Sequence, residues 1–230
     1  STILDVLAYN TYITSYNANM ISNEVFIDSA TLRENVVALA RNIGYVPRSR
    51  KASRTTVNFF VDISSVSPTP ANLTLKAGPV ASTGGSFNNQ SFVFGIPEDI
   101  TVSVVDGIAS FNNIEIFEGS YLTQTYIYSS RNPFQKFILP NIGIDLDSLV
   151  VSVRPSAQSS VTTKYSRQDE LFDSVTKSTI NKNSNIYFIQ EVEGEQYEVI
   201  FGDGVFGKAL EDGNVVEMSY IVSSGSDGNG

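Results

Sequence analysis

Histidine, cysteine and tryptophan are all absent from this chain of 230 residues. Without histidine it lacks the usual acid–base group at neutral pH, the commonest metal ligand and the base of a Ser-His triad. Without cysteine it can form no disulfide, thiolate zinc site or iron–sulfur cluster. Its length still allows a hydrophobic core. The composition therefore predicts a folded protein that is not an enzyme and that holds no cofactor.

Basic residues are also scarce, with 15 Lys and Arg against 24 Asp and Glu and a net charge of −9. An acidic protein repels polyanions, so we expect no nucleic acid and no anionic membrane as partner. The stretch from Val6 to Asn23 carries no charge, but it is rich in Asn, Ser and Thr. These side chains would be stranded in hydrocarbon, so the stretch predicts a helix outside any membrane.

The first 46 residues follow the period of a helix. One apolar seam recurs at steps of three and four residues, and it comprises Ile3, Val6, Tyr9, Ile13, Tyr16 and Met20. A second helix is expected to start at Thr31, with Glu34 completing a capping box, and to end at Gly44 before Pro47. This second helix is too short to cover the whole seam. We therefore expect the seam to need another apolar surface.

From residue 47 onward the apolar residues alternate, as in strands. Residues 64–89 are expected to form loops around one brief strand at Leu73–Leu75, and 158–185 to be a polar, turn-rich segment. The other predicted strands are 57–63, 92–94, 100–105, 114–117, 121–128, 149–153, 186–192, 197–201 and 215–222. The fold class is α+β: an N-terminal helical arm or hairpin (1–46), a β-rich middle (47–157) and C-terminal β-hairpins with a Gly-rich turn (158–230), the β body being mainly antiparallel.

The Gly-rich turn fits two phosphate-binding patterns, since Gly202, Gly204 and Gly207 are followed by Lys208. Both patterns need a helix after the glycines, and the phosphate loop also needs a hydroxyl after the lysine, where Ala209 stands. A tight turn between antiparallel strands explains the glycines better.

Acidic pairs occur at Asp145 with Asp147, Asp169 with Glu170, and Glu211 with Asp212. Neither their spacing nor the adjacent Lys177 and Ser178 matches a hydrolase or a calcium loop, so we expect no catalytic residues and assign no metal ligand. Whether a divalent cation binds stays open.

Five of the 15 basic residues lie within 41–54. They are Arg41, Arg48, Arg50, Lys51 and Arg54. Two interpretations stand side by side: a solvated helix end and linker, or a patch that docks an acidic surface of another subunit.

Two blocks of sequence resemble a known family. The first comprises Leu7-Ala8-Tyr9-Asn10-Thr11, Asn19, Asn23-Glu24, Asp28-Ser29-Ala30-Thr31-Leu32-Arg33 and Asn42-Ile43-Gly44-Tyr45-Val46-Pro47-Arg48-Ser49. It resembles the N-terminal helical region of baseplate wedge proteins of T-even-type contractile-tailed phages. The second comprises Phe201-Gly202-Asp203-Gly204, Gly207, Gly213-Asn214, Val216, Tyr220, Ser224-Gly225 and Gly228-Asn229-Gly230. It is similar to a block of the wider baseplate J-like family.

The resemblance implies a structural subunit of the virion tail baseplate, assembled in the host bacterial cytoplasm. Its N-terminal helices would pack with a second copy and with another wedge protein, in a ring around the tail hub. The expected interface comprises Ile3, Val6, Tyr9, Ile13, Tyr16, Met20, Arg48, Arg50, Lys51 and Arg54. Such family members are longer, so the chain is expected to be part of a larger subunit. The alternatives are a carbohydrate-binding or adhesin-like β module, favoured by the many Tyr, Asn and Thr, and a carboxylate hydrolase; neither explains the seam.

Overall fold

A computed structural model describes residues 2–42, 49–83, 91–132, 134–168, 172–173, 178–192 and 194–225 of the chain. The protein is mostly β, with helices at its N-terminal end and mainly antiparallel sheets, in agreement with the expected order of elements. The elements are α1 (Thr2–Glu24), α2 (Arg33–Asn42), β1 (Arg54–Asp62), β2 (Asn72–Leu75), β3 (Gly78–Ser82), β4 (Val93–Ile96), β5 (Ile100–Val105), β6 (Ile108–Glu118), β7 (Ser120–Ile127), β8 (Phe137–Leu139), β9 (Ile144–Arg154), β10 (Thr163–Arg167), β11 (Phe172–Asp173), β12 (Ser178–Thr179), β13 (Ile186–Val192), β14 (Gln196–Phe201) and β15 (Val215–Val222).

The first sheet is built around the long strand β6. Its order is β2-β5-β6-β4-β3, and β1 pairs antiparallel with β6. The alternation predicted for β1 is confirmed, because Val57, Phe59 and Val61 face the core while their neighbours are exposed. The rings of Phe59 and Phe111 stack with centroids 4.9 Å apart. Aromatic and β-branched side chains on one face thus hold this sheet together.

The second sheet contains the larger core and has the order β7-β15-β9-β10-β13-β14-β8. All of its neighbouring strands are antiparallel except β10 and β13, which are parallel. The strand bounds predicted for β13 and β15 are confirmed, as is the hairpin between β13 and β14. β15 pairs with β7 on one side and β9 on the other, and most of its residues are buried, which explains why it is mainly apolar on both faces.

Several expectations about the strands need correction. Residues 64–89 hold two strands, β2 and β3, and the segment predicted to be turn-rich contains β10, β11 and β12. β8 was not predicted at all. The Gly-rich turn does not join paired strands either, because β14 and β15 are separated by three others in the sheet. The division at residue 157 stays a prediction about domains; the two sheets themselves meet between Glu118 and Ser120.

One glycine carries the chain from the first sheet to the second. Gly119 alone separates β6 from β7, and its φ of 134° is unfavourable for any residue with a side chain. A Cβ at this position would lie 2.3 Å from the main-chain oxygen of Val222 on β15. Glycine is therefore required both by conformation and by the close approach of β15.

We expect Gly119→Ala to lower the free energy of unfolding by about 2 kcal/mol, because it combines an unfavourable φ with a forced backbone shift. Gly213→Ala is the matched control, since Gly213 also has a positive φ of 83° but open space around its Cβ position. That control should cost about 1 kcal/mol. Urea unfolding of both variants checks the difference, and equal losses would contradict the close-approach explanation.

Candidate subunit interface

The seam of α1 is not covered by the rest of the described chain. No residue of α1 is buried. Ile13, at the centre of the seam, is partly exposed. The other seam residues are exposed to between 42% and 77%: Ile3, Val6, Tyr9, Tyr16 and Met20. Burying each such side chain contributes about 1.5–3 kcal/mol, so the uncovered seam is a large unused source of binding energy.

A second apolar side of α1 was not foreseen from the seam. Leu4 and Leu7 project away from the seam, Ile21 lies at its edge in line with Ile3, and all three are exposed. Tyr12 stacks on Tyr16 with ring centroids 6.5 Å apart. The exposed apolar surface continues past the helix through residues 25–27. A helix that is apolar on several sides is normally enclosed by other helices. The signal was present in the sequence, as these residues interrupt what would otherwise be the polar face.

The second helix fixes the arm to the second sheet. Val37 and Ala40 are buried, and α2 contacts β13. The guanidinium of Arg33 lies 2.7 Å from Oε1 of Glu191, whose side chain is buried, and 3.6 Å from the exposed Glu195. Because a buried carboxylate needs a partner, the ion pair with Glu191 specifies where α2 sits.

The start of α2 is joined to the end of α1 through Glu24, while the capping box of Thr31 and Glu34 stays a prediction. Glu24, the last residue of α1, accepts hydrogen bonds from the main-chain N–H groups of Thr31 (2.9 Å) and Leu32 (3.2 Å). It also accepts bonds from the Thr31 hydroxyl (2.7 Å) and the Asn35 amide (2.7 Å). The Thr31 hydroxyl donates to Glu24, and the main-chain oxygen of Leu32 accepts the N–H groups of Asn35 and Val36; the side chain of Glu34 lies outside the described residues. These hydrogen bonds lower the pKa of Glu24 to about 2. The bond from Asn35 has the largest effect, and those from Thr31 have the next largest.

We call the four hydrogen bonds that Glu24 accepts the clasp. The clasp predicts that the contact between α1 and α2 depends on pH. Because the pKa of Glu24 is lower in the folded protein than the ordinary value of 4.5, its stabilising effect is complete above pH 4.5 and is lost as the pH falls towards 2. We expect the amide NMR signals of Thr31 and Leu32 to shift with a midpoint near pH 2. Glu24→Gln should abolish that transition; a midpoint near 4.5 in the unaltered protein would contradict the clasp.

The basic residues after the arm contact carboxylates of this same chain. Nη2 of Arg54 lies 3.4 Å from Asp145 and 3.2 Å from Asp147, and Lys51 lies 3.6 Å from Asp147. Arg54 also stacks over the ring of Phe117 at 5.1 Å. Partial burial opposes ionisation of Asp147, yet the hydrogen bond from Arg54 and the charges of Lys51 and Arg54 keep its pKa below the usual value.

Arg50 is held in a different way. It donates a bond of 3.5 Å to the main-chain oxygen of Ser223, and its side chain lies against Gly225. Arg48 lies outside the described residues, as does the side chain of Arg41. Docking of this basic patch on another subunit remains a prediction. Within the chain, Lys51 and Arg54 already contact the carboxylates of Asp145 and Asp147.

Asp145 joins residues 49–53, which we call the linker, to the second sheet. It is fully buried, Oδ2 accepts the N–H of Ala52 (2.9 Å), and Oδ1 accepts the N–H of Asp147 (2.9 Å). Ser53 is bound on both sides, since its carbonyl accepts the N–H of Glu118 (2.7 Å) and its hydroxyl donates to the oxygen of Gly225 (3.2 Å). The linker is therefore attached to both sheets at once.

Of the other acidic pairs, Glu211 with Asp212 lies within the described residues. Asp169 and Glu170 lie outside the described residues, as does Lys177. Asp212 accepts bonds from the N–H and hydroxyl of Ser130, which lower its pKa. In the described part of the chain, no three Asp or Glu side chains are grouped closely enough to hold a metal ion. Nor does either described helix combine the length and apolarity needed to cross a bilayer.

Comparison with known proteins adds one relationship. No family model matches the chain. The chain is similar to the baseplate wedge protein gp6 of Enterobacteria phage T4, with 23% identity over 249 aligned positions that cover 99% of this chain and 34% of that protein. The chain thus spans about a third of the length of its relative. The aligned region includes the helical arm and both sheets.

Proposed function

We propose that the chain is a structural subunit of a contractile phage tail baseplate wedge. It assembles through α1 with a second copy and with another wedge protein, in a ring around the tail hub, and it performs no catalysis. The observation that carries this proposal is the exposed apolar surface of α1, which has no partner among the described residues. The similarity to a phage T4 baseplate wedge protein supports the same conclusion.

The attachment of the arm suits a part that transmits force. Force applied to α1 reaches the second sheet through α2 and its ion pair between Arg33 and Glu191. It reaches both sheets through the linker, by way of Ser53 and Asp145. Rigid links of this kind let a movement of the helices reorient the β body as a unit.

In this proposal the seam residues supply binding energy, and the basic residues set the orientation of the arm. Arg50, Lys51 and Arg54 do so by fixing the linker to carboxylates and carbonyls of the β body, and Arg48 is assigned to the same patch. Lys51 and Arg54 keep exposed surface from which they can also meet an acidic neighbour. The partners are proteins, with no nucleic acid, membrane or small-molecule substrate.

The location is tested by labelling the protein in assembled phage. A peptide tag is inserted at the exposed turn between Pro155 and Ser160, far in sequence from α1, and tagged virions are treated with gold-labelled antibody. We expect gold at the baseplate end of the tail in electron micrographs. Label along the tail tube or on the head, or none on intact virions that contain the tagged protein after disruption, would contradict the assignment.

A further inference from the structure

The Gly-rich loop forms a stiff projection with an apolar tip. We call residues 202–207 the finger. Its tip residues Val205 and Phe206 are exposed to 65% and 50%. Oδ1 of Asp203 accepts the main-chain N–H groups of both, at 2.9 and 2.8 Å. One carboxylate thus fixes the main chain of two residues whose apolar side chains are exposed to solvent. These side chains contribute little to packing within the chain.

Three main-chain hydrogen bonds hold the finger, one within it and two to the segment before β13. Gly204 donates to the oxygen of Gly207 (3.1 Å), Gly207 to that of Asn181 (3.2 Å) and Lys208 to that of Ser184 (2.8 Å). Gly202 and Gly207 approach so closely that a Cβ on Gly202 would lie 2.3 Å from the carbonyl carbon of Gly207. A loop ordered in this way loses little further entropy on binding.

A cleft that has apolar walls but also the charged side chains of Arg33 and Glu191 in its lining lies at the opposite end of the hairpin formed by β13 and β14. It opens between α2 and the turn joining β13 to β14, and its volume is about 1000 Å³. Val37, Ile138 and Ile142 contribute its apolar walls, while Lys136 and Glu195 lie at its rim. Pockets of this size hold ligands much larger than two side chains.

We propose that the finger of one copy inserts into the cleft of a second copy. Within one chain they cannot meet, because they lie at opposite ends of β13, a strand of seven residues and therefore about 20 Å long. The apolar tip matches the apolar walls. The finger carries Asp203 and is followed by Lys208, and the rim of the cleft carries Lys136 and Glu195, so each charge can face an opposite one.

The contact is heterologous, since two different surfaces meet, and repeated head-to-tail contacts of this kind close into rings or extend into filaments. It is separate from α1. It rests on the proposed function only in requiring that copies of this chain come together.

The absence of cysteine from the chain allows a direct test. Val205→Cys and Ile142→Cys are purified separately, mixed and exposed to a mild oxidant. We expect a disulfide-linked dimer in the mixture at a yield at least tenfold above that of either variant alone. Val105→Cys mixed with Ile142→Cys is the matched control, because Val105 is 66% exposed, almost equal to Val205, but lies in the first sheet.

Equal yields with Val205→Cys and the Val105→Cys control would overturn the proposal, as would a preference of Val205→Cys for itself. A second measurement uses the chain with Phe206→Ser and no introduced cysteine. This substitution should weaken self-association at least tenfold by removing an aromatic anchor. The cross-link should persist when Ile13 and Met20 are both replaced by Asp. Loss of assembly through α1 with the cross-link retained would therefore separate this contact from the proposed function.

Discussion

Replacing Ile13 and Met20 together by aspartate is expected to abolish assembly through α1 while the β body stays folded. The two side chains lie seven residues apart on the seam, and burial of each contributes about 1.5–3 kcal/mol. Losing both therefore weakens association by at least about a hundredfold, because every 1.4 kcal/mol is tenfold, and burying the new charges adds to the loss. Size-exclusion chromatography with light scattering measures the change.

The matched control is Ser15→Asp combined with Ser22→Asp. It adds the same two charges to α1 at the same spacing, but on the side facing away from the seam. We expect this control to weaken assembly much less than the Ile13 and Met20 variant, because it replaces side chains that are already polar and leaves the seam intact. Far-UV circular dichroism and urea unfolding should show the β body intact in both variants. Normal assembly of the Ile13 and Met20 variant would contradict the interface assignment.

Asp145→Ala is expected to lower the free energy of unfolding by about 3 kcal/mol, since it leaves one buried and one partly buried N–H group without their acceptor, at about 1–3 kcal/mol for a buried group. These belong to Ala52 and Asp147, and Arg54 also loses a carboxylate. The linker should then detach from β9 and expose the buried cluster of Ala52, Phe117 and Ile221.

Asp147→Ala is the matched control for Asp145→Ala. It is the same substitution two residues away, but Asp147 is 45% exposed and its ion pairs with Lys51 and Arg54 lie near the surface. Exposed pairs contribute about 0–1 kcal/mol, so we expect a loss of less than 1 kcal/mol. If urea unfolding gave equal losses for the two variants, the junction would not depend on Asp145 in the way described.

Local patterns were enough to predict the helices and the most apolar strands. The three- and four-residue steps of α1 and the alternation of β1 each follow from one element and its periodicity. β13 and β15 were predicted within their observed bounds because each is rich in β-branched, aromatic and other apolar residues and is flanked by polar or glycine-containing turns. β3 and β8 could not be recognised in the same way. β3 begins with Gly78 and Pro79, residues that are rare in strands, and β8 has only three residues.

Long-range contacts explain what the sequence could not show about the arm. The basic patch is separated by about ninety residues from Asp145 and Asp147, and no periodicity connects them. Glu24 belongs to one helix but binds the two residues that precede the next, and no local motif of the second helix could reveal this contact. The exposed seam, by contrast, was predictable in outline, because α2 is too short to cover α1.

The mass of the protein in solution tests the central claim most directly. Sedimentation equilibrium should be measured over a range of micromolar concentrations, for the chain alone and mixed with the wedge proteins that the proposed function names as partners. If α1 exists to be covered by other chains, the mass must rise above the 25.1 kDa of one chain, either to a multiple of it or to a mixed complex. A mass that stays at 25.1 kDa under every condition, with the amides of α1 strongly protected from hydrogen exchange, would contradict the account.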